Sequence, residues 1–151
     1  MHKPVDKPRV VVLTYPGLVG AHVINTFVQA KGIELVGVGL SDRVFKGANH
    51  LQSVARMTKR SGWRFTAWEI VMTDLAWWGL RMSGVPAGLG DVPVRRIRDV
   101  NDAGTLDWLR DLQPDFVASC FFNQIIDLPV VRVARRGCVN LHAGPLPRLR
   151  G

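Results

Sequence analysis

At 151 residues, with 47% hydrophobic and 21% charged side chains, the chain carries enough apolar surface for one closed core, which excludes a disordered, collagen-like or disulfide-stapled architecture. Its 20 basic side chains against 12 acidic ones give a net charge of +8, and its two cysteines, Cys120 and Cys138, leave no zinc-ligand spacing, so no metal is expected. The polar stretch before the first apolar run lacks a secretory pattern; a flexible segment over residues 1–8, a single domain over 1–151 and a cytoplasmic location are the expectations.

The charge excess suits an anionic partner. Its distribution argues for a solvated surface instead: Lys59-Arg60, Arg95-Arg96-Arg98, Arg132-Arg135-Arg136 and Arg148-Arg150 are spread out, with no aromatic interleaved in the manner of a stacking surface. Both cysteines fall in apolar strand-like runs, where a buried free thiol is the ordinary outcome.

In chain order, Arg9 to Thr14 is a continuous β-branched run, the pattern of a strand buried on both faces. Tyr15-Pro16-Gly17 breaks it, and Ala21, Ile24, Phe27 and Val28 mark a helix from Gly20 to Lys31. Ile33 to Leu40 reads as a second strand. Strand, turn, helix, strand opens a doubly wound sheet. The loop Tyr15 to Gly20 is placed to seat an anion at a helix N-terminus. It lacks the G-x-G-x-x-G pattern, however, so Gly17 and Gly20 are expected to serve the turn and close helix packing rather than a nicotinamide cofactor.

Asn49 to Met82 is helical and aromatic, with Trp63, Phe65, Trp68, Trp77 and Trp78; Arg64, Glu69 and Asp74 interrupt it too often for a membrane span, and no membrane partner is expected. Two readings stay open for it: a helix packed on the sheet, or one whose tryptophans meet a partner or a second copy of the chain through the Trp63–Trp78 region. After a Gly- and Pro-rich loop come a short strand near Pro93 to Ile97, a helix from Ala103 to Leu112 capped by Asp99 to Asp102, and a strand from Phe116 to Phe122. A short helix to Arg136 and a strand from Cys138 to His142 complete an open, mostly parallel Rossmann-like sheet with helices on both faces.

Ligands in such sheets sit at strand carboxyl ends, here Phe122 to Ile126 and Asn140 to Gly144. Asn140 and His142, two apart on a strand, project from one face and can address one reacting atom. An amide donor aimed at a developing oxyanion and an imidazole that exchanges a proton near neutral pH are the parts of an acyl-transfer site.

The run Val100-Asn101-Asp102, Leu112 to Val117, Phe122-Asn123-Gln124-Ile125-Ile126, Gly137 to His142 and Leu146-Pro147-Arg148-Leu149-Arg150-Gly151 resembles the catalytic domain of the folate-dependent formyltransferases, of the methionyl-tRNA formyltransferase type. The resemblance is closest from about Pro93 to Gly151, and its most specific element is N-x-H followed by L-P-x-x-R-G. It implies transfer of a formyl group from 10-formyltetrahydrofolate to a primary amine, on an aminoacyl-tRNA or a nucleotide-linked amino sugar. It further implies that Asn140 polarises the formyl oxygen, that His142 stabilises the oxyanion or shuttles its proton, and that Phe122, Asn123, Gln124, Ile125 and Ile126 bound the pterin pocket. After the histidine this chain has Ala143-Gly144-Pro145 where Pro-Ser-Leu is common, and Leu149 stands where an aromatic is common. The family's third catalytic residue, a downstream aspartate, has no match, so a C-terminally incomplete domain that turns over poorly by itself is expected. The other readings are a formyltetrahydrofolate hydrolase, which uses water as acceptor, and a non-catalytic folate-binding or interaction fragment.

Overall fold

The computed structural model describes residues 7–41, 50–82 and 89–141. Five strands form one sheet in the order β3-β2-β1-β4-β5, and every neighbouring pair is parallel. The central strand β1 (Arg9–Thr14) pairs with β2 (Glu34–Ser41) on one side and β4 (Phe116–Cys120) on the other; β3 (Val94–Ile97) and β5 (Gly137–Leu141) flank them. A parallel strand buried on both faces needs apolar side chains pointing both ways, and β1 supplies them. Val11 and Leu13 join the core on one face, Val10 and Val12 that on the other, and all four are buried.

On the first face the core is closed by α4 (Ala103–Asp111) and α5 (Leu128–Val131), through Leu109, Val130 and Ala134. On the second it is closed by α1 (Leu18–Gln29), through Val23 and Ile24. The Rossmann-like sheet with helices on both faces is therefore present. Gly37 and Gly39 of β2 make room on the first face: a Cβ at Gly37 would stand 2.5 Å from Leu112 Cδ1, and one at Gly39 would stand 2.5 Å from both Leu13 Cδ2 and Ile97 Cδ1.

Asp102 caps α4 as its position suggested, accepting from Thr105 N at 2.8 Å, and that bond holds its carboxyl below the usual carboxylate range. At the amino edge of the sheet, Asp115 accepts from Arg9 N at 2.8 Å and pairs with Arg135 at 3.1 Å. The Arg9 hydrogen bond first, and then the two arginines nearby, depress its titration. Pro8 O accepts from Glu34 N, tying residue 8 to the start of β2, while residues 1–6 of the expected flexible segment lie outside the described residues.

Element boundaries differ from the sequence reading in three instructive places. The aromatic segment is two helices, α2 (His50–Ser61) and α3 (Trp63–Met82), because Gly62 sits at φ 84°, a left-handed conformation that ends one helix and turns the chain into the next. Strand β4 stops at Cys120, two residues early, since Phe121 takes φ 53° and cannot extend the ladder. The expected helix to Arg136 is the short α5, with Pro129 in its first turn. Cys120 is buried and Cys138 half-buried; both are free, and burial pushes both thiols up, which keeps them protonated and unreactive. No described helix is long and apolar enough to cross a membrane.

Candidate functional site at the carboxyl edge of the sheet

From β1 the chain steps outward through β2 to β3, then returns past β1 to β4 and β5 on the other side. The strand order thus reverses between β1 and β4, and in an open parallel sheet ligands bind in the crevice at that point. A pocket of 440 Å³ lies there, between the loop after β1, the start of α1, the loop after β4 and one side of α3.

The β1 side is built around two glycines. Gly17 takes φ 136°, ψ −171°, a conformation reserved for glycine, and it is the N-cap of α1; no side chain caps this helix. Gly20 packs so closely that a Cβ would stand 1.8 Å from Tyr15 O and 3.3 Å from Thr14 Oγ1. Thr14 Oγ1 itself is buried and has no hydrogen-bond partner among the described residues. The expected roles of the two glycines, turn and close approach, are both seen.

The α3 side supplies Trp68 and Met72, four residues apart on one helix face, with Glu69 between them. Phe65 stacks obliquely on Trp68, with ring centroids 6.2 Å apart. The β4 side supplies Phe121, Phe122 and Asn123. Phe121 is a bulky residue in the left-handed region at the mouth of a pocket, a conformation that costs on the order of 1–3 kcal/mol and persists only where its surroundings hold it. Phe121, Trp68 and Met72 were not marked as site residues by sequence reasoning. An aromatic doublet after an apolar run reads as more strand, and helical periodicity alone does not say which stripe meets the β1 loop.

The five residues expected to bound a pterin pocket do form one loop, but they face different ways. Phe122 and Ile126 pack against the first core, and Ile125 is 85% exposed. Gln124 works as a clip: its Oε1 accepts from Val100 N at 2.8 Å, while its Nε2 donates to Ile97 O at 3.0 Å and to Ser41 Oγ at 2.9 Å. Both of its amide hydrogens are spent inside the protein. Asn123 Oδ1 accepts from Ser41 Oγ, so the ends of β2, β3 and β4 are tied together by two amides. Asn101 continues the clamp, donating from Nδ2 to Ile125 O at 2.9 Å and accepting from Asp127 N at 2.9 Å. Of this loop, Phe122 and Asn123 line the pocket.

Gln124→Ala is expected to leave Val100 N and Ile97 O, both on fully buried residues, without partners, at a cost of about 2–3 kcal/mol. Urea unfolding should show a lower midpoint with an unchanged slope. A midpoint within error of the parent would show that the clip is not needed.

Asn140 lies on β5 opposite Ser119 of β4, one residue below the edge at which Thr14, Cys120 and Leu141 are aligned, and its side chain is exposed. By strand alternation it shares a face with Cys138, which packs on the first core, while Val139 and Leu141 point the other way and are each 57% exposed. An exposed amide at a strand's carboxyl end is open to a ligand. His142 and the whole L-P-x-x-R-G segment lie outside the described residues. No group of three or more metal-ligating side chains occurs among the described residues.

The distribution of basic residues needs one correction. Lys59, Arg60 and Arg64 are not isolated from aromatics: they stand next to Trp63 and Phe65 in the chain where α2 meets α3, and all five are exposed.

The structure thus combines an all-parallel α/β sheet, an apolar pocket at its switch point and an exposed amide on the neighbouring strand end, and sequence comparison supplies relatives for part of it. A stretch covering 48% of the chain is 40% identical over 72 residues to the methionyl-tRNA formyltransferase of Moorella thermoacetica, of which it covers 22%. The methionyl-tRNA formyltransferases of Clostridium perfringens, 37% identical over 62 residues, and Geobacter sulfurreducens, 36% identical over 61, match 40% of the chain and 20% and 19% of their own lengths. The chain is thus similar to part of a formyltransferase domain and spans about a fifth of the length of these relatives. No family model matches it.

Proposed function

We propose that this chain is the N-terminal part of a formyltransferase catalytic domain, which moves the formyl group of 10-formyltetrahydrofolate to a primary amine of an aminoacyl-tRNA or a nucleotide-linked amino sugar. The observation that carries the reading is the 40% identity to a methionyl-tRNA formyltransferase over 72 residues; the crevice beside β4 supports it.

In this reaction the amine nitrogen attacks the formyl carbon, the carbonyl oxygen becomes anionic, and collapse breaks the bond to N10 of the folate. The proton leaves the attacking amine and arrives at N10. Asn140 donates a hydrogen bond to the oxygen as its charge develops, which stabilises the transition state more than the ground state. His142, in the role that the family resemblance gives it, stabilises the same oxygen or carries the proton. The loop from Phe122 to Ile126 would hold the pterin ring through main-chain groups rather than through the Gln124 amide, which is already committed.

The test is titration calorimetry of the protein with a 10-formyl folate analogue, followed by transfer of label from the formyl group to methionyl-tRNA and to an amino-sugar nucleotide. Stoichiometric binding is expected, with amine-dependent release of tetrahydrofolate that is slow in this chain because the downstream aspartate is not part of it. Formate release that is independent of amine would replace the reading with hydrolysis, and absence of folate binding would overturn it.

A further inference from the structure

Five exposed apolar side chains gather in one concavity. Leu18, Val19, Trp68, Met72 and Phe121 are each 42–63% exposed, and all five line the 440 Å³ pocket at the carboxyl ends of β1 and β4. A single exposed leucine needs no explanation, but a cluster closing round one cavity marks a ligand site, and the volume falls in the range that encloses a drug-sized molecule. The walls are set firmly. Gly20 presses the start of α1 onto the end of β1, and α1 packs in turn on α3.

The lining also selects among ligands. In a chain with 20 basic and 12 acidic side chains, no lysine or arginine lines this pocket, and its one charged side chain is Glu69. A phosphorylated sugar would find no counter-charge there and few partners for its hydroxyls; the carboxylates at the tail of a folate would fare no better. An apolar group gains by leaving water, and the sign of Glu69 suits an amine that arrives as its ammonium.

Position completes the argument. Phe122 lines the pocket and also packs in the core of the face that Asn140 shares with Cys138, so the cavity reaches across the strand ends toward that amide. Thr14, Cys120 and Leu141 are aligned on neighbouring strands, and two strand spacings put the β1 wall about 10 Å from β5. The α3 wall precedes the stretch, from about Pro93 onward, in which the formyltransferase resemblance is closest, so it belongs to this chain's own specificity.

We infer that this pocket seats the body of the acceptor, and that the acceptor is a hydrophobic primary amine whose nitrogen is carried on an aryl or alkyl group of drug-like size. The inference rests on the formyltransferase reading and departs from it in one respect: the group beside the amine is bulky and apolar, not a phosphorylated sugar. The chemistry is unchanged. A C–N bond forms from the amine to the formyl carbon, the bond to N10 breaks, and the amine's proton ends on N10.

The experiment is calorimetry of the protein with phenylbutylamine, with phosphoethanolamine as the phosphorylated comparison, followed by transfer of label from 10-formyltetrahydrofolate to phenylbutylamine. Saturable binding of phenylbutylamine alone is expected, with labelled formyl appearing slowly on its nitrogen. Met72→Gln should weaken that binding about tenfold by setting an amide against the apolar ligand, while the melting temperature stays put because Met72 is exposed. Phe121→Gly should weaken it as much without loss of stability, because glycine accepts the left-handed backbone there. Binding of the 10-formyl folate analogue reads the formyltransferase assignment separately. Its loss with amine binding intact would strike that reading and leave the pocket's ligand class standing; intact folate binding without amine binding would strike the inference alone. Equal binding of phosphoethanolamine, unchanged affinity in both variants, competition between the amine and the folate analogue, or a stable dimer abolished by Met72→Gln would also overturn it.

Discussion

Gly20→Ala is expected to be the most damaging added methyl at any described glycine, lowering stability by about 3 kcal/mol. The added Cβ would stand 1.8 Å from the carbonyl oxygen of Tyr15, a backbone atom that no rotamer change can move aside. To accept it, the start of α1 must separate from the end of β1, and the pocket wall goes with it. Thermal unfolding is the direct measurement, with a fall of about 6–12 °C for a domain of this size. Gly32→Ala is the control: nothing lies within 4 Å of its Cβ position, so no loss is expected there. Equal melting temperatures for the two variants would show that the close approach at Gly20 does not matter.

For Asn140→Ala the expected result is the reverse: stability within about 0.5 kcal/mol of the parent, since an exposed side chain is removed from an edge strand, and the already slow formyl transfer of this chain lowered by about a further 10²–10³-fold. The loss should fall on kcat, because a donor that strengthens only as the oxygen becomes anionic contributes little to ground-state binding. Asn140→Asp should be as slow, keeping the shape but offering no hydrogen to the oxygen. Turnover within threefold of the parent in both variants would remove Asn140 from the reaction.

How far the sequence spoke for the structure depends on whether a feature is local. The runs Val10 to Leu13 and Phe116 to Cys120 are apolar on both faces of a strand, and that pattern is enough to make them neighbours in the middle of a parallel sheet. Asp102 announces α4 because a cap needs only its own next three residues. The break at Gly62 was less visible, since helical periodicity carries on across it, and only the positive φ separates α2 from α3.

At the site, Asn140 and the Asn123–Gln124 turn were recognisable as types. Their division of labour was not: whether a side-chain amide caps backbone groups or meets a ligand is decided by Ser41, Ile97 and Val100, which arrive from segments at least 24 residues away. Phe121 is the clearest case of a tertiary decision. A strand-forming aromatic is turned into the left-handed region because the chain must leave the sheet at the edge of the pocket.

The position of β1 between β2 and β4 also sets an order of events in synthesis and folding. The unit β1–α1–β2 closes over short distances, whereas the bond from Arg9 N to Asp115 Oδ2 joins residues 106 apart. Closing so long a loop costs entropy that only the finished central ladder repays, which slows folding relative to a helical bundle of the same size. On a ribosome emitting the chain from its N-terminus, the first strand pair can form early, but the crevice beside β4 has no second wall until residue 120 has emerged. Ligand-binding competence therefore comes late and all at once, and a nascent chain halted before β4 holds the glycine loop without a site to serve.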